Sequence, residues 1–75
     1  MNKPDKSIST RGASCPMPLI VLSEAVADMQ QGMVLEVIGD DPVFEIGVRD
    51  FCEARGHEVL EVNAARSFVT MRIRI

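Results

Sequence analysis

At 75 residues the chain has room for one domain, near the lower limit of what a single apolar core can sustain without staples. Its net charge of −3, its lack of Trp and Tyr, and basic residues that gather only as Arg66, Arg72 and Arg74 near the end argue against direct nucleic-acid binding. The longest aliphatic run, Leu19 to Leu22, is too short for a bilayer and the polar start lacks an apolar signal core, while two widely separated cysteines make neither a disulfide framework nor a metal box. A protein of a reducing compartment, cytoplasmic and with no membrane partner, is expected.

Taken in order, residues 1–6 read as a flexible tail and residues 7–75 as a single domain. Ser7 to Arg11 alternates around Ile8 and Thr10, which predicts a short strand leading into Gly12. A first helix is expected from Pro16 to about Gln30. Leu19, Leu22, Val26 and Met29 recur there at three- and four-residue steps and make one apolar stripe, and Gly32 is the expected left-handed cap. Met33 to Ile38 predicts a second strand with Leu35 and Val37 on one face. Gly39-Asp40-Asp41-Pro42 then turns the chain, and Asp41 before Pro42 predicts a helix start, a carboxylate N-cap with proline at the first helical position. This second helix runs to about Arg55, carries Phe44, Val48, Phe51 and Cys52 on its apolar side, and stops at Gly56. Gly47 in its middle costs about 1 kcal/mol relative to alanine, with no benefit evident from the sequence.

His57 to Asn63 and Phe68 to Ile75 predict the last two strands, joined across Ala64-Ala65-Arg66-Ser67 as a hairpin. In the final strand Val69, Met71 and Ile73 alternate with Thr70, Arg72 and Arg74, so one face is apolar and the other basic. The order β-α-β-α-β-β demands a parallel crossover between the first two strands and an antiparallel closing pair. The fold class is therefore an α/β two-layer sandwich, a mixed four-stranded sheet with two helices on one face. Met29 and Met71 fall on inward positions and are expected to fill the core. No long amphipathic seam demands a dimer, and a monomer is expected.

The chemistry concentrates at Cys15-Pro16-Met17-Pro18. With Cys15 as N-cap, Pro16 and Pro18 fall at the first and third helical positions, where a missing N–H is tolerated. The two prolines delete two of the four unpaired donors that open a helix, leaving those of Cys15 and Met17. A thiol at the positive end of the helix dipole is favoured as thiolate, hence as nucleophile. Gly12 gives a flexible approach, Arg11 is the cation nearest in sequence and could stabilise the anion, and Met17 is placed to shape a docking surface. Cys52, beside Phe51 on the apolar stripe of the second helix, reads as a buried structural thiol. His57 follows the Gly56 cap and reads as structural or solvent-facing, because no third group can be named to orient a Cys-His pair.

The run Gly12-x-x-Cys15-Pro16-x-Pro18-Leu19, followed by Gly32-x-x-Leu35-x-Val37, Asp41-Pro42 and Phe51-Cys52-x-x-x-Gly56-His57, resembles the TusA/SirA family of small sulfur-carrier proteins from Ile8 onward. The resemblance implies a two-layer α/β sandwich and a persulfide on Cys15, accepted from a donor such as a cysteine desulfurase or rhodanese-like protein and passed to an acceptor protein. It implies a carrier rather than a multiple-turnover enzyme, with no cofactor and no metal, serving tRNA 2-thiolation, molybdenum-cofactor or sulfur-oxidation pathways. The alternative is a regulatory or protein-interaction module of the same fold whose thiol is dispensable. Ser23 and Glu24 stand where the family is often basic, and Gly47-Val48 where it usually has Asp-Ile.

Overall fold

The computed structural model describes residues 3–14 and 16–75. The elements run β1 (Lys6–Ser9), α1 (Met17–Ala27), β2 (Val34–Gly39), α2 (Phe44–Arg55), β3 (Glu58–Ala64) and β4 (Val69–Arg74), in the predicted order. They form one four-stranded sheet in the spatial order β1-β2-β4-β3. β1 is parallel to β2, with Ile8 opposite Val37, while β4 is antiparallel to both β2 and β3.

Strand alternation decides which face is covered. Leu35 and Val37 of β2 and Met71 and Ile73 of β4 are fully buried, and they meet Leu22 and Ala25 of α1 and Phe44, Val48 and Cys52 of α2 in one core. Both helices therefore lie on the same face of the sheet. The other face is polar, with Glu36, Arg72 and Glu61 level with one another across β2, β4 and β3. Met71 fills the core as expected, and Met29 packs against its edge.

The boundaries moved for identifiable reasons. β1 begins at Lys6 rather than Ser7, because the chain is already held at residue 5. Asp5 N–H donates to the Val34 carbonyl at 2.8 Å, and its carboxylate accepts from Val34 N–H at 2.8 Å. Lys6 then reaches over to the end of α1, donating to the Ala25 carbonyl at 3.1 Å and pairing with Asp28 at 3.3 Å. α1 ends at Ala27 with Asp28 as cap, so Gly32 is not its terminator. Gly32 instead donates its N–H to the Ile75 carbonyl.

α2 starts at Phe44, not at Pro42, and Val43 rather than Asp41 stands at its N-cap. Asp41 to Phe44 is a single turn closed by Phe44 N–H on the Asp41 carbonyl at 2.9 Å. Gly39 explains the delay: a Cβ there would stand 2.2 Å from the Phe44 ring, so the ring lies flat on a bare backbone. The turn seats Phe44 over Gly39 before helical geometry begins. At the far end Gly56 caps α2 in the left-handed region at φ 79°, as predicted, with His57 N–H returning to the Cys52 carbonyl.

β3 runs Glu58–Ala64, and its register shifts between Val59 and Glu61. The bulge leaves Leu60 outside the ladder and lets both Val59 and Val62, three residues apart, pack against the core.

Candidate functional site

Because β1 and β2 are parallel, the loops after both leave the sheet at one end, and the β3–β4 hairpin turns at that same end, where Gly39 and Ala64 both oppose Val69. Three connections thus converge: residues 10–14, 40–43 and 65–68. The carboxyl ends of parallel strands are where α/β sheets most often place their sites. Here the first loop is fastened to the other two. Thr10, nearly fully buried, gives both its N–H and its hydroxyl to the Ile38 carbonyl, at 2.6 and 2.8 Å. The Arg11 guanidinium lies over the Phe68 ring of the hairpin, 4.6 Å from its centroid. Gly12, at φ 86°, donates its N–H to both carboxylate oxygens of Asp40, at 3.0 and 3.1 Å. A side chain at residue 12 would disfavour that backbone, and without the carboxylate the N–H would lose its partner.

The helix opening differs from the expectation. Cys15 itself lies outside the described residues, and the N-cap place expected for it belongs to its neighbour. Pro16 is the N-cap, at φ −97° and ψ 10° in the bridge region, with Met17 and Pro18 as the first two helical residues. Met17 N–H is not held in reserve for a sulfur: it donates to the Ser14 carbonyl at 2.9 Å, and Leu19 and Ile20 N–H both turn to the Pro16 carbonyl at 3.1 and 3.2 Å. From Pro16 to Ile20 every backbone N–H the sequence provides is therefore engaged. The positive pole of α1 remains as a field rather than as open donors.

Around this opening the surface is apolar. Pro18 is buried, whereas Met17 is 48% exposed, Ile20 44%, Val43 48% and Ile46 63%. Between the first turns of α1 and α2 runs a groove of about 250 Å³, lined by Pro18, Leu19, Val43, Phe44, Ile46 and Gly47, with Asp41 and Asp50 also at its wall.

Residues 6–75 match the family model described as Sulfurtransferase TusA. The chain belongs to the TusA sulfurtransferase family. A curated relative from Aquifex aeolicus, described as a putative sulfur carrier protein, is 37% identical over 60 residues, 80% of this chain and 30% of that protein. This TusA-family chain therefore spans about a third of the length of the curated relative it matches. The crystal structure of a SirA-like protein from Desulfitobacterium hafniense superposes with a TM-score of 0.80 at 22% identity, covering 92% of this chain and 95% of that one, which confirms the two-layer fold.

Within the TusA-family domain, Gly12, Pro16, Met17, Pro18 and Arg11 all lie on the one connected end described above. The two other chemically suggestive residues do not. Cys52 is 1% exposed, and burial pushes its thiol pKa up, with the Arg49 charge pulling part of the way back. His57 sits beyond the C-terminal end of α2, its ring centroid 5.9 Å from that of Phe51 and its Nε2 buried without a partner among the described residues. That end is the length of a twelve-residue helix away from Phe44.

Sequence reasoning missed Thr10 and Asp40. Thr10 reads as one polar member of an alternating strand. Asp40 reads as a turn residue beside Asp41, and its partner is 28 positions away.

Proposed function

We propose that this chain is a sulfur carrier that holds sulfane sulfur as a persulfide on Cys15, taking it from a donor protein and passing it to an acceptor protein. The observation that carries the reading is the family match over residues 6–75, whose range includes Cys15-Pro16-Met17-Pro18. The anchored loop supports it: both chain neighbours of Cys15 belong to a segment tied to Ile38, Asp40 and Phe68 and exposed to solvent at Ser14 and Pro16.

In the transfer step the Cys15 thiolate attacks the outer sulfur of a donor persulfide. A new S–S bond forms at Cys15, the donor's S–S bond breaks, and the donor cysteine leaves as thiolate with the electron pair of that bond. The proton stays on the transferred sulfur or is lost to water, and no net oxidation occurs. Delivery to the acceptor repeats the exchange with the acceptor's nucleophile in the attacking role. The pole of α1 favours the anionic form of the thiol and then of the persulfide, and Arg11, fixed over Phe68, adds positive charge to the same loop. Neither cofactor nor metal takes part, and the carrier works as a monomer in the reducing cytoplasm. The donor is of the cysteine desulfurase or rhodanese type, and the outlet is tRNA 2-thiolation, molybdenum-cofactor assembly or sulfur oxidation.

The test is genetic. Cys15→Ala should reproduce the phenotype of removing the protein altogether, whereas an alanine variant that restores it fully would mark the chain as an interaction or regulatory module.

A further inference from the structure

We infer that the groove between the opening turns of α1 and α2 receives a bulky apolar side chain of the sulfur-exchanging partner, carried next to a lysine or arginine, and that Gly47 keeps the groove open. The inference rests on the carrier reading for the identity of the partner, but its structural basis is independent of it.

Gly47 lies inside α2, where glycine weakens a helix relative to alanine. Neither of the usual justifications applies. Its φ is not in the left-handed region. A Cβ would meet Leu19 at 3.5 to 3.7 Å, an ordinary van der Waals contact, so close helix packing does not demand its absence. What the missing methyl does leave is volume, because Gly47 lines the groove together with Pro18, Leu19, Phe44 and Ile46. Val43 and Ile46, both exposed, would lose water contact on docking, as the apolar surface of a partner would.

The charge around the groove sets the partner's sign. Asp41 and Asp50 line it, Asp50 forms no ion pair among the described residues, and the nearby Arg49 is occupied by Glu45 at 3.0 Å. An acidic rim around an apolar floor suits an apolar anchor flanked by a cation, and it works against a second copy of this chain presenting the same acids. The groove begins at Pro18, three residues along the chain from Cys15, at most about 11 Å of extended backbone. A partner anchored there is held within reach of the thiol.

The experiment sets stability against transfer. Gly47→Ala should raise the melting temperature by a few degrees and yet raise the half-saturating concentration of a persulfide-loaded protein donor in single-turnover transfer about five- to tenfold, with the limiting rate little changed. Asp50→Lys should raise the same half-saturating concentration and weaken its dependence on salt. A Gly47→Ala variant that is more stable and exchanges sulfur with an unaltered half-saturating concentration overturns the inference. If the wild type takes sulfur from no donor, the carrier reading has failed, and the groove is judged by a second measurement. Titrating the tripeptide amides Arg-Leu-Arg and Glu-Leu-Glu should shift the backbone amide resonances of Val43, Ile46 and Gly47 with the basic peptide only, and not in Gly47→Leu. Shifts with both peptides, with neither, or with protein concentration alone, which would make the occupant a second copy, contradict the inference.

Discussion

Asp40 grips the backbone of Gly12 with both carboxylate oxygens, at 3.0 and 3.1 Å, joining the loop after β2 to the loop that carries Cys15. The carboxylate is thereby a structural acceptor in the loop network, and it fixes a backbone conformation at φ 86° that only glycine holds at low cost.

Removing that acceptor should loosen the thiol loop more than it weakens the fold. Asp40→Ala is expected to cost about 0.5–1.5 kcal/mol, the usual range for one hydrogen bond, while hydrogen exchange at the Gly12 amide accelerates sharply. Asp40→Asn, which keeps an accepting oxygen, should restore most of the protection. Equal exchange in the wild type and the alanine variant would show that Thr10 and Arg11 hold the loop unaided.

Gly39 should tolerate no side chain. A Cβ 2.2 Å from the Phe44 ring forces one of them to move, so Gly39→Ala is expected to destabilise by about 1–3 kcal/mol, as overpacked cores do. Adding Phe44→Leu should recover part of the loss, giving a double-mutant coupling well outside additivity. Additive effects would mean that the ring is not what Gly39 accommodates.

Cys52 should make the protein weaker in alkali. Its folded-state pKa is raised, chiefly by burial, so the unfolded chain releases the proton first. The stability it supports is fully present below the unfolded thiol value, near 8.5, and falls as pH climbs from there toward the folded value, by at most about 1.4 kcal/mol per pH unit. Denaturation between pH 8 and pH 10 should show this decline, reduced in Cys52→Ala. Iodoacetamide at neutral pH should modify Cys52 only as fast as the fold opens, and a rate equal to that of an unfolded control would refute its burial.

Much of this was legible in the sequence because it depends on local repetition. Leu35 with Val37 and Met71 with Ile73 announced the buried face of the sheet by alternation, and Gly56 announced the end of α2 by the conformation a left-handed cap demands. The helix starts were not legible, because local capping rules lost to tertiary contacts. Asp41-Pro42 offers the carboxylate and the proline that open a helix, yet Phe44 lies on Gly39 and α2 starts only there. Pro16 takes the cap position because Met17 closes a turn onto Ser14, which also removed the free donor that the proline pattern suggested. The bulge at Leu60 had a signal that periodicity of two overlooked: Val59 and Val62 are three apart and cannot both face one side of a regular strand. No local pattern marks the Asp40–Gly12 contact, since its members meet only once the parallel crossover is made.

The central claim is that Cys15 accepts sulfane sulfur, and intact-mass spectrometry after incubation with a cysteine desulfurase and cysteine tests it most directly. The wild type and Cys52→Ser should each gain the mass of one sulfur atom, reversible by a thiol reductant, and Cys15→Ser should gain none. A wild type that stays unmodified with several desulfurases, or a gain that survives Cys15→Ser and vanishes in Cys52→Ser, would contradict it.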